Sequence, residues 1–335
     1  MSAPYPWLAD TWRRLQQARA ADTLPHALLL HGRPGFGKRE LAQALVASLL
    51  CDKPDVEGTG CGQCRGCSLL TAGSHPDYRA VQPEEPGKSI VIDQIRELGE
   101  FFTLRPHYGA RKLAVIAPAD AMNRAAANSL LKLLEEPPAG GMLLLVADRQ
   151  ERLPATIRSR CQGYVLDRFD PTSVLRDPHG LAAPVSAESL ARAGGSPLAA
   201  GRFEVPELRT LVDSLPAMMA AVASGAASPL EAAGRLGKLD LVFLLDQMLR
   251  ISHELLLLKV GATLPLAEAG RAVGRDLQRM ADGIDSPRLA QFVQQALELK
   301  QLRLGATSAR EGDLIESLWF EWQRVGPLAA RQGED

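Results

Sequence analysis

Two groups of residues in this sequence have the types and spacing to do chemistry. The first is Gly32-Arg33-Pro34-Gly35-Phe36-Gly37-Lys38-Arg39. In the pattern G-x-x-x-x-G-K-[ST], glycine backbone N–H groups cradle phosphates, the lysine reaches the outer phosphates and the hydroxyl holds magnesium. Gly32, Gly35, Gly37 and Lys38 fit that pattern, but Arg39 stands where the hydroxyl belongs. The second group is Cys51, then nine residues, then Cys61, Cys64 and Cys67. Zinc takes four thiolates at tetrahedral geometry, and C-x2-C turns with glycines let backbone amides close around the sulfurs. Three cysteines at i, i+3 and i+6 cannot all come from one turn, so Cys51 is expected to supply the fourth corner. Four thiolates leave no open coordination position, so such a zinc is structural. The bland reading is a set of free structural thiols.

These groups have to be positioned by regular elements. Helical spacing runs from Trp7 to Ala18, and Leu24-Pro25 closes it before the apolar run His26 to His31, which reads as a buried parallel strand. A leucine- and alanine-rich helix over Lys38 to Leu50 follows, with its N-terminus at the glycines, so strand, glycine loop and helix give the context a phosphate loop requires. Further strands are expected at His75–Val81, Lys112–Ala117 and Met142–Val146, with a last apolar piece at Tyr164–Leu166. Helices are expected at Ile90–Phe102 and Ala121–Glu136, with a polar loop at 83–88 before the first and Pro137-Pro138 ending the second. A short helix begins near Leu153-Pro154 and ends at Ser159-Arg160-Cys161. Strands alternating with helices predict an α/β domain with a parallel sheet covered on both faces. A boundary is placed after residue 166; residues 167–205 suit a small helical domain with a helix at Ala187–Ala193. From Pro206 to the end only helical periodicity appears, strongest at Leu239–Val260 and Ser286–Leu304, which predicts an all-α domain over 206–335.

Composition bounds the partners. The 335 residues carry a formal charge of −1 and 23% charged residues, as in an ordinary globular protein and unlike a disordered chain. That balance argues against a broad basic coat for nucleic acid, so any DNA contact would be local or shared. No signal-peptide pattern opens the sequence, and no run approaches the ~20 apolar residues of a membrane span, so a cytoplasmic location is expected. Of the five cysteines, four fall between positions 51 and 67, which in a cytosolic protein points to a metal before disulfides. Cys161 is read as a small buried apolar residue.

The order of Gly32–Lys38, the C-x9-C-x2-C-x2-C insertion, the strand Leu113–Ile116, the stretch Leu130-Leu131-Lys132-Leu133-Leu134-Glu135-Glu136-Pro137-Pro138 and the triplet Ser159-Arg160-Cys161 resembles the AAA+ subunits of the bacterial clamp loader. The resemblance covers most of residues 20–200. It implies a RecA-like AAA+ domain with a zinc module, a small helical lid domain and a helical collar domain. It also shows what the chain lacks. Active members carry an Asp-Glu pair at the end of the second strand, where Ala117 and Pro118 stand here; a threonine pair where Ala147-Asp148 stand; and an arginine after Gly-Ser where Pro197-Leu198 stand. Asp148 would repel a nearby phosphate. Asp120 is read as a helix N-cap rather than a displaced metal ligand.

The expectation is a subunit that does not hydrolyse ATP, with Lys38 leaving weak nucleotide binding open. By resemblance Arg160 acts in trans as an arginine finger on a neighbour's nucleotide, a task suited to a permanently charged planar fork of donors. The plain alternative is a cation capping a helix C-terminus, and Arg158 is the residue that could be confused with it. The implied partners are the gamma/tau motor subunits and the delta subunit, with the sliding clamp and primer-template DNA reached through the assembly. The chain would then be a component of a DNA-directed DNA polymerase holoenzyme, a nucleotidyltransferase in DNA replication. Two rivals remain. One is an autonomous AAA+ ATPase using Lys38 with a displaced carboxylate such as Asp120. The other is a DNA-binding zinc finger, weakened by the absence of a basic helix after the cysteines, with only Arg65 and Arg79 nearby.

Overall fold

The computed structural model describes residues 4–85, 87–108, 111–167, 169–176, 181, 184–237, 239–261, 271–303 and 310–326. Two compact units divide the chain, Met1–Glu204 and Val205–Asp335.

In the first unit the described elements are α1 (Ala9–Ala20), β1 (Ala27–His31), α2 (Lys38–Leu50), α3 (Arg65–Thr71), β2 (Tyr78–Val81), α4 (Ile92–Thr103), β3 (Lys112–Ile116), α5 (Arg124–Glu135), β4 (Gly141–Ala147), α6 (Ala155–Arg158), β5 (Gln162–Val165), α7 (Pro171–Arg176), α8 (Ala187–Arg192) and α9 (Pro197–Phe203). The strands form one parallel sheet in the order β2-β3-β4-β1-β5. β1 and β3 are buried at every position, because helices cover both faces. Alternation along the strands sorts their side chains into two cores. Leu28, Leu30, Val115, Leu144 and Val146 pack with Trp12 and Leu15 of α1 and Leu41 and Leu45 of α2. On the opposite face Ala27, Leu29, Ile116, Leu143 and Leu145 meet Ile95 and Leu98 of α4, Leu130 and Leu134 of α5, and Ile157 of α6. This is the expected parallel sheet covered on both faces. Its loops at the carboxyl ends of the strands, Gly32–Gly37 after β1, Ala117-Pro118 after β3 and Asp148 after β4, lie where open α/β sheets bind ligands.

Several boundaries differ from the sequence expectation, and each has a local cause. The first helix is preceded by a tighter turn, Pro6–Leu8, because two prolines flank Tyr5 at its start. The helix expected from Ala121 starts at Arg124. A 3₁₀ turn spans Ala119–Ala121, Met122 bridges Ile90, and the Asn123 side chain accepts the Ala126 N–H at 2.8 Å. The N-cap is therefore Asn123, and the assignment of Asp120 to that role is corrected. Ile90, placed at the start of a helix by its spacing, is held in the same bridge, so α4 opens at Ile92. Of the polar loop at 83–88, Pro86 lies outside the described residues.

In the second unit the described elements are α10 (Pro206–Ala223), α11 (Pro229–Leu236), α12 (Leu241–Lys259), α13 (Arg271–Gly283), α14 (Ser286–Arg303) and α15 (Glu311–Gln323). Every regular element among its described residues is a helix. Leu304, the last residue of the expected 286–304 helix, lies outside them. The core gathers Leu244, Leu245 and Leu255 of α12, Phe292 of α14, and Trp319 and Trp322 of α15. Trp322 Nε1 donates to the Met219 carbonyl at 2.8 Å, and its ring meets Phe292 edge-on with centroids 4.9 Å apart. The polar tip of Trp322 thus has the partner its buried body requires, whereas the Trp319 Nε1 is buried with no hydrogen-bond partner among the described residues.

Candidate functional site

β1 delivers the chain to Gly32, and α2 begins at Lys38 with Gly37 in the left-handed region at φ 83°. The loop between them keeps a phosphate-loop path, but its groups are already engaged. Lys38 is 4% exposed. Its Nζ donates to the carbonyls of Gly32 at 2.7 Å and Arg33 at 2.5 Å, and pairs with the Asp148 carboxylate at 2.7 Å. The lysine that would reach a phosphate is folded back onto its own loop and a carboxylate. Arg39 is exposed at the position of the missing hydroxyl.

Residues 194–198 close over the same loop. Ser196, the N-cap of α9, donates its hydroxyl to the Gly35 carbonyl at 3.1 Å, and the Leu198 N–H donates to that carbonyl at 3.1 Å. Gly35 adopts φ 79°, and a Cβ there would come within 2.1 Å of Ser196 Oγ, so the close approach requires glycine. Arg33 donates to the Gly194 carbonyl at 2.8 Å and faces Asp167 at 3.5 Å. On the other side Trp7 Nε1 donates to the Phe36 carbonyl at 3.1 Å. Leu198, where active relatives carry arginine, packs partly buried against the apolar core.

Ala117 and Pro118 offer no metal ligand at the end of β3. Asp120 is turned instead toward β4, where its Oδ1 accepts the Asp148 N–H at 3.2 Å. Burial, with Asp148 adding like charge, pushes the Asp120 carboxyl above its ordinary value. The Asp120 carboxylate is thus tied to the backbone of Asp148, whose own carboxylate pairs with Lys38.

The four cysteines converge. Their sulfurs all lie within 4.8 Å of one another, and Cys64 Sγ is 3.8 Å from Cys51 Sγ. Tetrahedral zinc with bonds of about 2.3 Å places its sulfurs about 3.8 Å apart, so the donor set fits the metal. Cys51 follows α2, Cys61 precedes a turn, Cys64 caps α3 and Cys67 lies in its first turn. Backbone N–H groups of Cys61, Cys64 and Cys67 point at the sulfurs of Cys51, Cys61 and Cys64, at 3.3, 3.3 and 3.4 Å. Donors from Gln63 and Cys64 draw the Cys61 thiol down to about 6, whereas burial pushes Cys67 up to about 12. Gly66 lets α3 reach the end of α2, since a Cβ there would sit 2.3 Å from the Leu50 carbonyl oxygen. Arg65 and Arg79 stack on the rings of Tyr108 and Phe101 at 5.0 and 5.7 Å, rather than forming a basic helix.

Arg160 follows α6. Its Nη1 donates to the Thr156 carbonyl at 3.1 Å, and its Nη2 pairs with Glu135 of α5 at 2.7 Å. The side chain remains 37% exposed. Arg158 is exposed and has no partner among the described residues.

Residues 7–170 match the family model described as DNA polymerase III, delta subunit. The Pseudomonas aeruginosa DNA polymerase III subunit delta' is 42% identical over 207 residues, covering 61% of this chain and 62% of that one. The Escherichia coli subunit delta' is 41% identical over 162 residues, 48% of each chain, and that of Bacillus subtilis 40% over 153 residues, 46% of this chain and 45% of that one. Over this segment the chain is similar to the delta' subunits of DNA polymerase III. The matched segments thus span about half to three fifths of these relatives' length. A solved structure of a DNA polymerase III gamma subunit-related protein from Thermotoga maritima aligns with TM-score 0.45 at 18% identity, covering 95% of this chain and 99% of that one.

Sequence reasoning located the loop, the cysteines and Arg160, but not the partners that hold them. Asp148 was read as a repulsive charge; its bond to Lys38 is a long-range contact that no local pattern signals. Ser196 and Gly194 carry no sequence signal for this contact, and only the fold brings them over Gly35 and Arg33. Glu135 was visible in its motif, without a signal that it meets Arg160.

Proposed function

We propose that this chain is the non-hydrolysing delta-prime subunit of the bacterial clamp loader, within the DNA polymerase III holoenzyme. In this reading it joins the gamma/tau motor subunits and the delta subunit, and the assembly loads the sliding clamp onto primer-template DNA. Residues 1–166 form the AAA+ domain with a zinc module at 51–67, 167–205 the lid, and 206–335 the collar through which it oligomerises. Cys51, Cys61, Cys64 and Cys67 hold a structural zinc. Arg160 reaches a neighbouring subunit's ATP and stabilises the charge that develops as the γ-phosphate is transferred, a role worth roughly a thousandfold or more in other phosphate-transfer systems.

The observation that carries the reading is the state of Lys38. An ATPase needs that ammonium free for phosphate and a carboxylate free for magnesium. Here Lys38 is buried and paired with Asp148, Asp148 is bonded to Asp120, and Ala117 and Pro118 supply no ligand. Arg160, by contrast, keeps access to solvent just before β5, at the amino end of the strands. The rival of an autonomous ATPase has to undo each of these contacts.

The test is Arg160→Ala in a loader reconstituted with its motor subunits. ATP turnover by the assembly is expected to fall at least tenfold while the complex still elutes intact on gel filtration. Unchanged turnover would refute the finger. Turnover by the isolated chain that disappears on Lys38→Ala would establish the rival instead.

A further inference from the structure

We infer that Glu135 is a positioning residue for Arg160, an inference that rests on the finger reading above. Glu135 is the last residue of α5, followed by Glu136 and Pro137-Pro138. A carboxylate at that end faces the negative pole of the helix dipole, so α5 gains nothing from it locally. What Glu135 meets is the guanidinium of Arg160, 2.7 Å away, while the Thr156 carbonyl of α6 takes a second N–H at 3.1 Å. Two elements of the fold therefore hold one side chain from two sides. An arginine carries five N–H donors, and these contacts use two of them. The remaining donors are left for phosphate oxygens.

The pair is a guide rather than a lock. Its members are 37% and 50% exposed, and an exposed ion pair shifts an equilibrium by no more than about fivefold. An arginine without it samples many rotamers, and each must be searched before the fork meets a phosphate in the neighbouring subunit. Pre-orienting the fork acts on the reaction step and leaves the neighbour's own nucleotide pocket untouched. Glu135 touches no reacting atom in this scheme; it acts only through Arg160.

The experiment uses the reconstituted assembly and four versions of this chain: wild type, Glu135→Ala, Arg160→Ala and the double variant. Glu135→Ala is expected to lower kcat for ATP by about three- to fivefold with KM unchanged. Glu135→Gln, which keeps an acceptor oxygen, is expected to recover at least half of the loss, and it replaces the alanine variant should that one fail to fold. The double variant is expected to turn over at the rate of Arg160→Ala alone. Wild-type kcat for both Glu135→Ala and Glu135→Gln overturns the inference, and so does a double variant slower than Arg160→Ala by the same three- to fivefold. Wild-type turnover by Arg160→Ala is a different result: it removes the finger itself, and the inference with it.

Discussion

At Lys38 a single ammonium joins three parts of the first unit: its own loop, the end of β4 and, through Asp148, the turn after β3. Removing one partner of a buried charge is expensive, though Asp148 is 45% exposed and Lys38 retains two carbonyls. Asp148→Ala is therefore expected to destabilise the fold by about 1–2 kcal/mol, read from chemical denaturation. The neighbouring Asp120 makes a prediction of opposite sign. Its folded carboxyl titrates above the ordinary value of 3.8 because burial disfavours the charge. The ionised form is thus a liability that is absent below the ordinary value, grows as pH rises past it, and is complete above the raised one. Asp120→Asn keeps an oxygen for the Asp148 N–H, and is expected to raise Tm by roughly 1–3 °C at pH 7. That gain should vanish as the pH is brought below 3.8; a gain equal at both pH values would contradict the burial account.

At the scale of elements, the four-cysteine module is a place where a bound metal would stand in for a core. The loop from Asp52 to Gly60 is held by the Asp55 carboxylate, which accepts the Thr59 N–H at 2.7 Å, and by Trp12 Nε1 donating to the Glu57 carbonyl at 2.9 Å. Beyond these contacts the cysteines hold α3 to the end of α2. Cys67→Ala, at the buried corner, is expected to lose the metal and several kcal/mol of stability. Metal analysis of the wild type should give one zinc per chain; a value well below one would exclude the cage. Much of this was legible in the sequence, because cysteine spacing, glycine loops and strand periodicity are local signals. The boundaries that shifted were decided elsewhere. Asn123 displaced Asp120 as a cap because Met122 is pulled straight by Ile90, more than thirty positions away in sequence, and that pairing leaves no mark near residue 120. The closure of the phosphate loop was illegible for the same reason: Arg33 and Gly194 are 161 positions apart.

At the scale of the molecule, the unit Val205–Asp335 has a core of its own in which Trp319, Trp322 and Phe292 are almost fully buried. A fragment comprising residues 205–335 is expected to be helical by circular dichroism and to melt cooperatively on its own. Within it Trp322→Ala should cost about 3–5 kcal/mol, since it removes a large buried ring and leaves the Met219 carbonyl without its donor. A fragment that is unfolded alone would show that the unit depends on the rest of the chain. In the other unit, the seal over Gly35 has a consequence for competition. Ser196, Leu198 and Asp148 are tethered to the loop they occupy, so they present themselves to it at an effective concentration that binding in trans must overcome. A free nucleotide would meet this loop as a rival to an occupant that never diffuses away, and its apparent affinity would be reduced in proportion to the fraction of time the loop stands open.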